Sequence, residues 1–568
     1  MGVPGFVVWI RKFFNDEMIL SNLPNSSHIL YIDGNCLIHP KCFEILEQIN
    51  NNTMSGQNIS QLMFQSIVSY IDFLVKYVKP KICYFAVDGV GPAAKINQQR
   101  YRRYKAMHDT DVKNKIKNKH GIMSNVEWSN TVITPGTEFM KELDEYLLKY
   151  FNSAKNVNYI YSSHLVPGEG EHKIMDHLRS NVFNNETCVI YGLDADLFFL
   201  SLANGKNNLF LLREEQYINN NSESNKQINL INEIELRYVS IDILKQCYNS
   251  KIEEMTNNSL NKRTTKVFYK DFIFVCYLLG NDFIPHLPSI DIKNNGLDIL
   301  LDKYIKVLIE QKNDLIIFDA NCDVSINMEF LKKLLKILGN EEQTHFSNTI
   351  YKNKQRIKNK KCPIDIENDK YKKEIWELEN LKNIEQYDFI KLGYGAQDVW
   401  KYKYYEYYFG ATQHNTEFID LICKTYLEGL VWITKYYYKG CPSWKWKYSF
   451  THAPFISDIS EYLEKNNFDI NSINFGASMP LQPEQQLLAV MPASCINIIP
   501  KEYQHLMKND ESPILDMYPK SIKFDYLYKT MYWTCIPMLP YLDIDRITNA
   551  TKDIKSKYNI AKEIYINL

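Results

Sequence analysis

Three short apolar runs in the first part of the chain each deliver an aspartate at their end. HILYIDGN (28–35) reaches Asp33, KICYFAVDG (81–89) reaches Asp88, and CVIYG (188–192) leads to Asp194. Runs this short and this continuously apolar predict strands buried on both faces. Between the first two, Leu62, Ile67, Ile71, Leu74 and Val75 recur at helical spacing. Strand, helix, strand predicts a βαβ unit and a parallel sheet, with further helices over 137–151 and 170–180. In open α/β sheets, sites form beyond the carboxyl ends of the strands, where these aspartates fall. Residues 93–120 are polar and basic and predict a long helix projecting from the sheet. DFIFVCYLLGNDF (271–283) predicts an apolar helix ending at Gly280, with Asn281 and Asp282 beyond its terminus.

The pattern then changes. NNNSESNKQIN (219–229) reads as a surface loop. From about 340 the composition turns polar, and KNKQRIKNKK (352–361) makes 346–372 the best linker. A Trp/Tyr-rich stretch, 373–568, shows no strand alternation and is expected to be largely helical with long loops. The reading is therefore α/β, with a parallel-sheet body over 1–345, a basic linker over 346–372, and a helical second region over 373–568. The length of 568 residues exceeds one comfortable core, as two or three domains require.

Composition narrows the class. Hydrophobic content of 45% and charged content of 23% suit a folded soluble protein. The net charge of −1 means that a polyanionic partner would have to be met by local basic patches. The 12 cysteines include no C-x-x-C, which fits reduced thiols inside a cell, with the cytoplasm favoured over the nucleus. No apolar run approaches the ~18 residues of a membrane span. The opening MGVPGFVVWIRKFF is too short for a cleaved leader, and Phe6 breaks a myristoylation motif. Abundant Asn, Ile, Lys and Tyr suit an AT-rich genome.

Two acidic pairs carry the chemistry. Glu169 and Glu171 lie in HLVPGEGEHKI (164–174), and Asp194 and Asp196 in YGLDADLFFL (191–200). Like charges at the ends of apolar elements repel, and burial raises their pKa values, so such clusters are usually held by divalent cations. With Asp33, Asp88 and Asp282 they form a set of seven, enough for two Mg²⁺ ions with supporting groups, Mn²⁺ being an expected substitute. Two ions about 4 Å apart stabilise the attacking and leaving oxygens of an in-line phosphoryl displacement. The bland alternative, that an aspartate after a strand is a turn residue or N-cap, holds for any one position but weakens for all together.

DGVGPAAKINQQRYRRYKA (88–106) begins at Asp88 and runs into the basic helix. Lys95, Gln99, Arg102 and Arg103 fall at i, i+4, i+7 and i+8 and share one face. Such a face can grip a phosphate, with arginine binding bidentately, although basic helical runs are often only solvated. His39 follows Asp33 by six residues and is either a structural residue or a ring that stacks on a base. Trp444 and Trp446, in GCPSWKWKYSF (440–450), raise the same choice.

These segments together resemble the Xrn family of 5′-to-3′ exoribonucleases. The resemblance is carried by MGVPGFVVWI, LYIDGNCLIH, AVDGVGPAAKINQQRYRR, ITPGTEFM, HLVPGEGEHKIM, YGLDADLFFL and LLGNDFIPHLP. It continues in YLEGLVWITKYYYKGCPSWKW, HAPFISDI, PEQQLLAVMPA, SPILDMYPK and IPMLPYLDIDR, in order along nearly the whole chain. It implies a PIN/flap-nuclease-like α/β domain packed with a helical second region as one catalytic body. It implies Mg²⁺-dependent, processive release of 5′-mononucleotides from single-stranded RNA bearing a 5′-monophosphate, by a monomer. By motif position, Asp33, Asp88, Glu169, Glu171, Asp194, Asp196 and Asp282 match the metal carboxylates. Lys95, Gln99, Arg102 and Arg103 match the 5′-phosphate pocket. His39 and a tryptophan, Trp446 being favoured over Trp444, match the rings that sandwich the first base. Pro92 holds the place of a residue that helps exclude duplex.

The chain departs from the family in reading KYSFTHAP (447–454) where a Tyr-Pro-Tyr-His-Tyr-Ala-Pro stretch is usual. It also lacks the long C-terminal extension of large members and the zinc knuckle of nuclear ones. A core of this kind would suit a large DNA virus or a protist. Two rival readings are a flap or structure-specific DNA nuclease, which uses similar carboxylates, and a non-catalytic RNA-binding protein, which predicts lost carboxylates. None is lost.

Overall fold

The computed structural model describes residues 16–24, 29–50, 58–122, 128–180, 186–214, 234–256, 268–321, 323–384, 387–412 and 415–567. The opening MGVPGFVVWIRKFF, with Phe6, and the loop expected at 219–229 lie outside them.

The predicted strands form, and they are the middle of a larger sheet. In chain order the strands are β1 (Ile19–Leu20), β2 (Ile29–Asp33), β3 (Ile82–Ala86), β4 (Asn158–Ser162), β5 (Cys188–Tyr191), β6 (Leu209–Glu214) and β7 (Leu236–Ser240). Two hairpins follow, β8 (Ile316–Phe318) with β9 (Val324–Ile326) and β10 (Lys523–Asp525) with β11 (Ile536–Met538), and β12 (Ile564–Ile566) comes last. The large sheet runs β1-β7-β6-β5-β2-β3-β4-β12. Its five central strands, β6-β5-β2-β3-β4, are parallel, and β7, β1 and β12 join antiparallel.

Alternation along the strands explains their apolar sequence. Leu30, Ile32, Cys83, Phe85, Val189 and Tyr191 face one core, with the helices Ile59–Val78 and Glu138–Ser153. Tyr31, Tyr84, Ile160, Ile190 and Leu211 face another. That second core also contains the helix Phe268–Tyr277 and the helix Thr416–Tyr438, so the sheet and the second region share one apolar interior. β2 lies between β3 and β5, so the chain winds one way through β3 and β4 and the other way through β5 and β6. The crevice at the ends of β2 and β5 is the switch point where α/β sheets bind ligands.

Three expectations change. Residues 346–372 are not a free tether. The helix Glu342–Asn359 covers their first half and buries Phe346 and Ile350 on one side, and the helix Ile364–Glu367 follows. A helix with so narrow a buried stripe has the composition of a linker. The region 373–568 contributes strands, β10 and β11 as a hairpin and β12 on the outer edge of β4, so the body does not end near residue 345. The basic helix Ala93–Lys119 is braced at its far end by the helix Lys370–Glu379. There Lys113 pairs with Glu379 at 3.2 Å, and Lys119 and His120 pair with Glu374 at 2.8 and 2.7 Å.

Candidate active site

All seven predicted carboxylates meet at the switch point. Asp33 is the last residue of β2, and Asp88 follows β3. Glu169 is the N-cap of the helix Gly170–Arg179 and Glu171 lies in its first turn. Asp196 opens the helix Asp196–Asn204, and its N–H donates to Asp194 Oδ1 at 3.2 Å. Asp282 follows the helix Phe268–Tyr277 through Gly280, whose φ of 81° is the left-handed conformation that ends a helix. Asn281 then folds the loop, its Oδ1 accepting from the N–H groups of Phe283 and Ile284 at 2.9 and 3.1 Å.

Close approach makes one glycine obligatory here. A Cβ on Gly170 would stand 2.8 Å from Asp33 Oδ1 and 3.2 Å from the Ala86 carbonyl. The bare backbone lets the Gly170 N–H donate to Asp88 Oδ1 at 2.7 Å. Asn35 holds the other side of Asp88, donating to Oδ2 at 2.8 Å and accepting from the Asp88 N–H at 3.1 Å.

The electrostatics are those of like charges confined together. Burial, then Asp88 and Asp194, push Asp33 up. Burial, then Asp194, Glu169 and Asp196, push Glu171 well up. Burial, then Asp194 and Asp282, push Asp196 up. Glu169 also rises, through burial and despite Lys95. Lys95 reaches into this group: its Nζ pairs with Glu169 and, at 2.7 Å, with Asp282. Burial would raise Asp282, but the positive charge around it, Lys95 foremost, together outweighs burial and the carboxyl sits at about 2. The same carboxylates hold the Lys95 amine above its ordinary range against burial.

This donor set fits hard divalent cations. It is all carboxylate oxygen, which suits Mg²⁺ or Mn²⁺ over softer metals. Asp33 Oδ1 is buried with no hydrogen-bond partner among the described residues, while Oδ2 accepts from the Cys36 thiol at 2.8 Å. As they stand, no three His, Cys, Asp or Glu side chains among the described residues converge closely enough to hold one ion. Among the described residues, the Lys95 amine is a cation that stands among them.

The basic face adjoins the cluster through Lys95. Pro92 is the buried N-cap of its helix, and the Ala93 N–H donates to the Trp444 carbonyl at 2.8 Å. Gln99 follows one turn after Lys95, then Arg102, which is exposed, and Arg103, whose guanidinium burial and Arg102 push down to about 10. Arg100 points away: it is buried and donates to the Met517 carbonyl at 2.5 Å. His39 lies within electrostatic reach of both halves. Burial lowers it to about 4, with Asp88 opposing and Arg103 and Arg102 assisting, so at neutral pH it is an uncharged ring between carboxylates and guanidiniums.

Trp446 stacks on Trp432 with ring centroids 5.3 Å apart and planes at 23°, over Gly429, which leaves room for it. Trp432 stacks on Tyr436 at 4.6 Å, and Tyr436 on His172 at 3.7 Å. The ladder ends at the cluster, where the Tyr436 hydroxyl donates to Glu169 at 3.0 Å. One face of Trp446 is thus committed to packing, and it is the main chain of Trp444 that borders the basic helix.

Sequence reasoning missed Tyr436, Asn35, Cys36 and Gln486, the last of which bonds the Gly91 N–H and the Gln99 side chain beside the basic face. Trp432 and Tyr436 stand at i and i+4 of the helix Thr416–Tyr438, a spacing that could have flagged a shared face. Nothing local marks the other three as site residues.

Comparison with known proteins places the chain in a family. A family model described as the XRN 5′-3′ exonuclease N-terminus matches residues 1–215, and one described as the Xrn1 helical domain matches residues 263–375 and 358–563. The human protein named 5′-3′ exoribonuclease 1 is 30% identical over 97% of this chain, which covers 34% of that protein. The Saccharomyces cerevisiae protein of the same name is 29% identical over 97% of the chain and 43% of its own length. A Drosophila melanogaster protein named 5′-3′ exoribonuclease 2 homolog is 28% identical, with 97% and 70% covered. The chain therefore spans a third to under half the length of the first two. It belongs to the Xrn family of 5′-3′ exoribonucleases.

Proposed function

We propose that this chain is itself a 5′-to-3′ exoribonuclease that degrades single-stranded RNA from a 5′-monophosphate, one nucleotide at a time and processively, through a PIN/flap-nuclease-like site. The observation that carries the reading is Lys95, which joins the carboxylate cluster to the basic face and so sets a fixed distance between cutting point and phosphate grip.

Asp33, Asp88, Glu169, Glu171, Asp194, Asp196 and Asp282 would hold two Mg²⁺ ions. When bound, these would lower the pKa of the attacking water and neutralise charge on the phosphate in flight. The protein supplies the rest. Gln99, Arg102 and Arg103, with Lys95 at the border, take the terminal phosphate by charge-assisted hydrogen bonds. The uncharged His39 ring stacks on the first base, with Trp444 or Trp446 on the other side, at roughly 1–3 kcal/mol per stacked base. Pro92, as N-cap, sets where the basic helix begins and so shapes the entrance that excludes duplex.

The test is cleavage of 5′-monophosphate, 5′-hydroxyl and capped RNA, with and without Mg²⁺. The monophosphate substrate should be degraded fastest and only with the metal. Equal rates on all three would remove the phosphate assignment, and faster cleavage of flapped DNA would favour the DNA nuclease.

A further inference from the structure

Gln486 lies in the helix Pro483–Val490 of the second region and is fully buried. Its Oε1 accepts from the Gly91 backbone N–H at 3.0 Å, and its Nε2 donates to Gln99 Oε1 at 3.3 Å. The first bond determines the second. A backbone N–H can only donate, so the end of the Gln486 amide that faces Gly91 must be oxygen and the other end nitrogen. That nitrogen needs an acceptor, so Gln99 must turn its own oxygen inward. The Gln99 –NH₂, with two donors, is left directed away from Gln486, and it has no partner among the described residues.

We infer that Gln486 is a positioning residue that sets the polarity of the 5′-phosphate site, locking the Gln99 amide with its N–H donors toward the terminal phosphate. This rests on the phosphate role proposed above for Lys95, Gln99, Arg102 and Arg103. An amide left to rotate would present its oxygen to the phosphate part of the time, and oxygen repels an anion. The direction is imposed from a main-chain N–H at the start of the basic helix, through a buried side chain of the second region, and back to the same helix one turn beyond Lys95. Gln486 itself need not touch RNA.

The isosteric substitution Gln486→Glu reverses the relay. A carboxylate still accepts from Gly91 but cannot donate, so Gln99 turns its nitrogen inward and its oxygen toward the phosphate. The readout is the ratio of kcat/KM on 5′-monophosphate RNA to that on 5′-hydroxyl RNA. It should fall at least about tenfold, with the loss in KM for the monophosphate, as befits a lost hydrogen bond to a charged group. Added charge alone would also weaken phosphate binding, so the substitution is repeated in a Gln99→Met background, where there is no amide to turn. There it should change the ratio by less than about twofold. The neutral Gln486→Met, which frees Gln99 without adding charge, should lower the ratio about threefold, and it serves if the glutamate variant does not fold. An unchanged ratio in either single variant, or an equal loss in both backgrounds, overturns the inference. A wild-type enzyme with no preference for a 5′-phosphate overturns the functional reading and this inference together, and it is visible before any substitution is made.

Discussion

Tyr436 donates its hydroxyl to Glu169 across 3.0 Å, so a helix of the second region holds a carboxylate of the sheet's site. Removing the hydroxyl keeps the stacked ring and deletes only that bond. Tyr436→Phe should lower the cleavage rate about tenfold, the scale of one hydrogen bond to a charged group, and raise the Mg²⁺ concentration at half-maximal rate. A Mg²⁺ titration that superimposes on wild type would show that the bond is incidental.

Gly170 is constrained by space rather than by backbone conformation. Its missing Cβ would lie 2.8 Å from Asp33 Oδ1. Gly170→Ala should destabilise the protein by roughly 1–3 kcal/mol, the usual range for overpacking, and displace Asp33. Loss of cleavage with the fold intact by circular dichroism is expected, and full activity would mean that Asp33 can move without consequence.

Lys95 neutralises buried carboxylates that otherwise face one another. Removing one partner of a buried pair costs on the order of 3 kcal/mol, because the other is left uncompensated. Lys95→Met should therefore have a lower Tm than wild type in EDTA, and Mg²⁺ should raise its Tm more than it raises that of wild type. A Tm in EDTA equal to wild type would contradict the geometry.

The metal-free protein should lose stability as pH rises. Asp33 is pushed up to about 7 and Asp196 to about 8 by burial and their acidic neighbours, against about 3.9 in an unfolded chain. The folded state then binds more protons than the unfolded one. Their contribution is fully present below about pH 4 and is lost as pH climbs through 7 and 8. In EDTA, wild type should drop in Tm between about pH 6 and pH 8.5 by more than Asp196→Asn does, and Mg²⁺ should flatten the difference. Parallel curves for the two proteins would dissociate Asp196 from the cluster.

The two tryptophans separate by stability. Trp446 stacks on Trp432 above Gly429 and is partly buried, so Trp446→Ala should cost roughly 1–3 kcal/mol, less than a fully buried ring would. Thermal unfolding of both alanine variants, followed by RNA affinity for whichever stays folded, decides which ring serves the substrate. A Trp446→Ala protein with wild-type Tm would show that the stack does not carry load.

The parts legible in the sequence are those whose signal is local. β2, β3 and β5 declare themselves because both faces are buried, and Asp33, Asp88 and Asp194 because they sit just where those runs stop. Tyr436 and Gln486 carry no such mark, since each meets the site only after the chain has folded back over hundreds of residues. The stretch 346–372 has the sequence of a linker because most of the surface of the helix Glu342–Asn359 is solvated. β12 escaped because three residues, Ile-Tyr-Ile, are too few to show a period.

That last strand sets an order of events. β12 seals the outer edge of β4, Ile564 opposite Tyr161 and Ile566 opposite Tyr159. During synthesis that edge emerges early and must wait, its hydrogen-bonding groups open, until nearly all of the intervening chain has left the ribosome. The sheet that carries the carboxylate cluster is thus completed only once Ile564–Ile566 has been made, and any shorter nascent chain leaves the Asn158–Ser162 edge open.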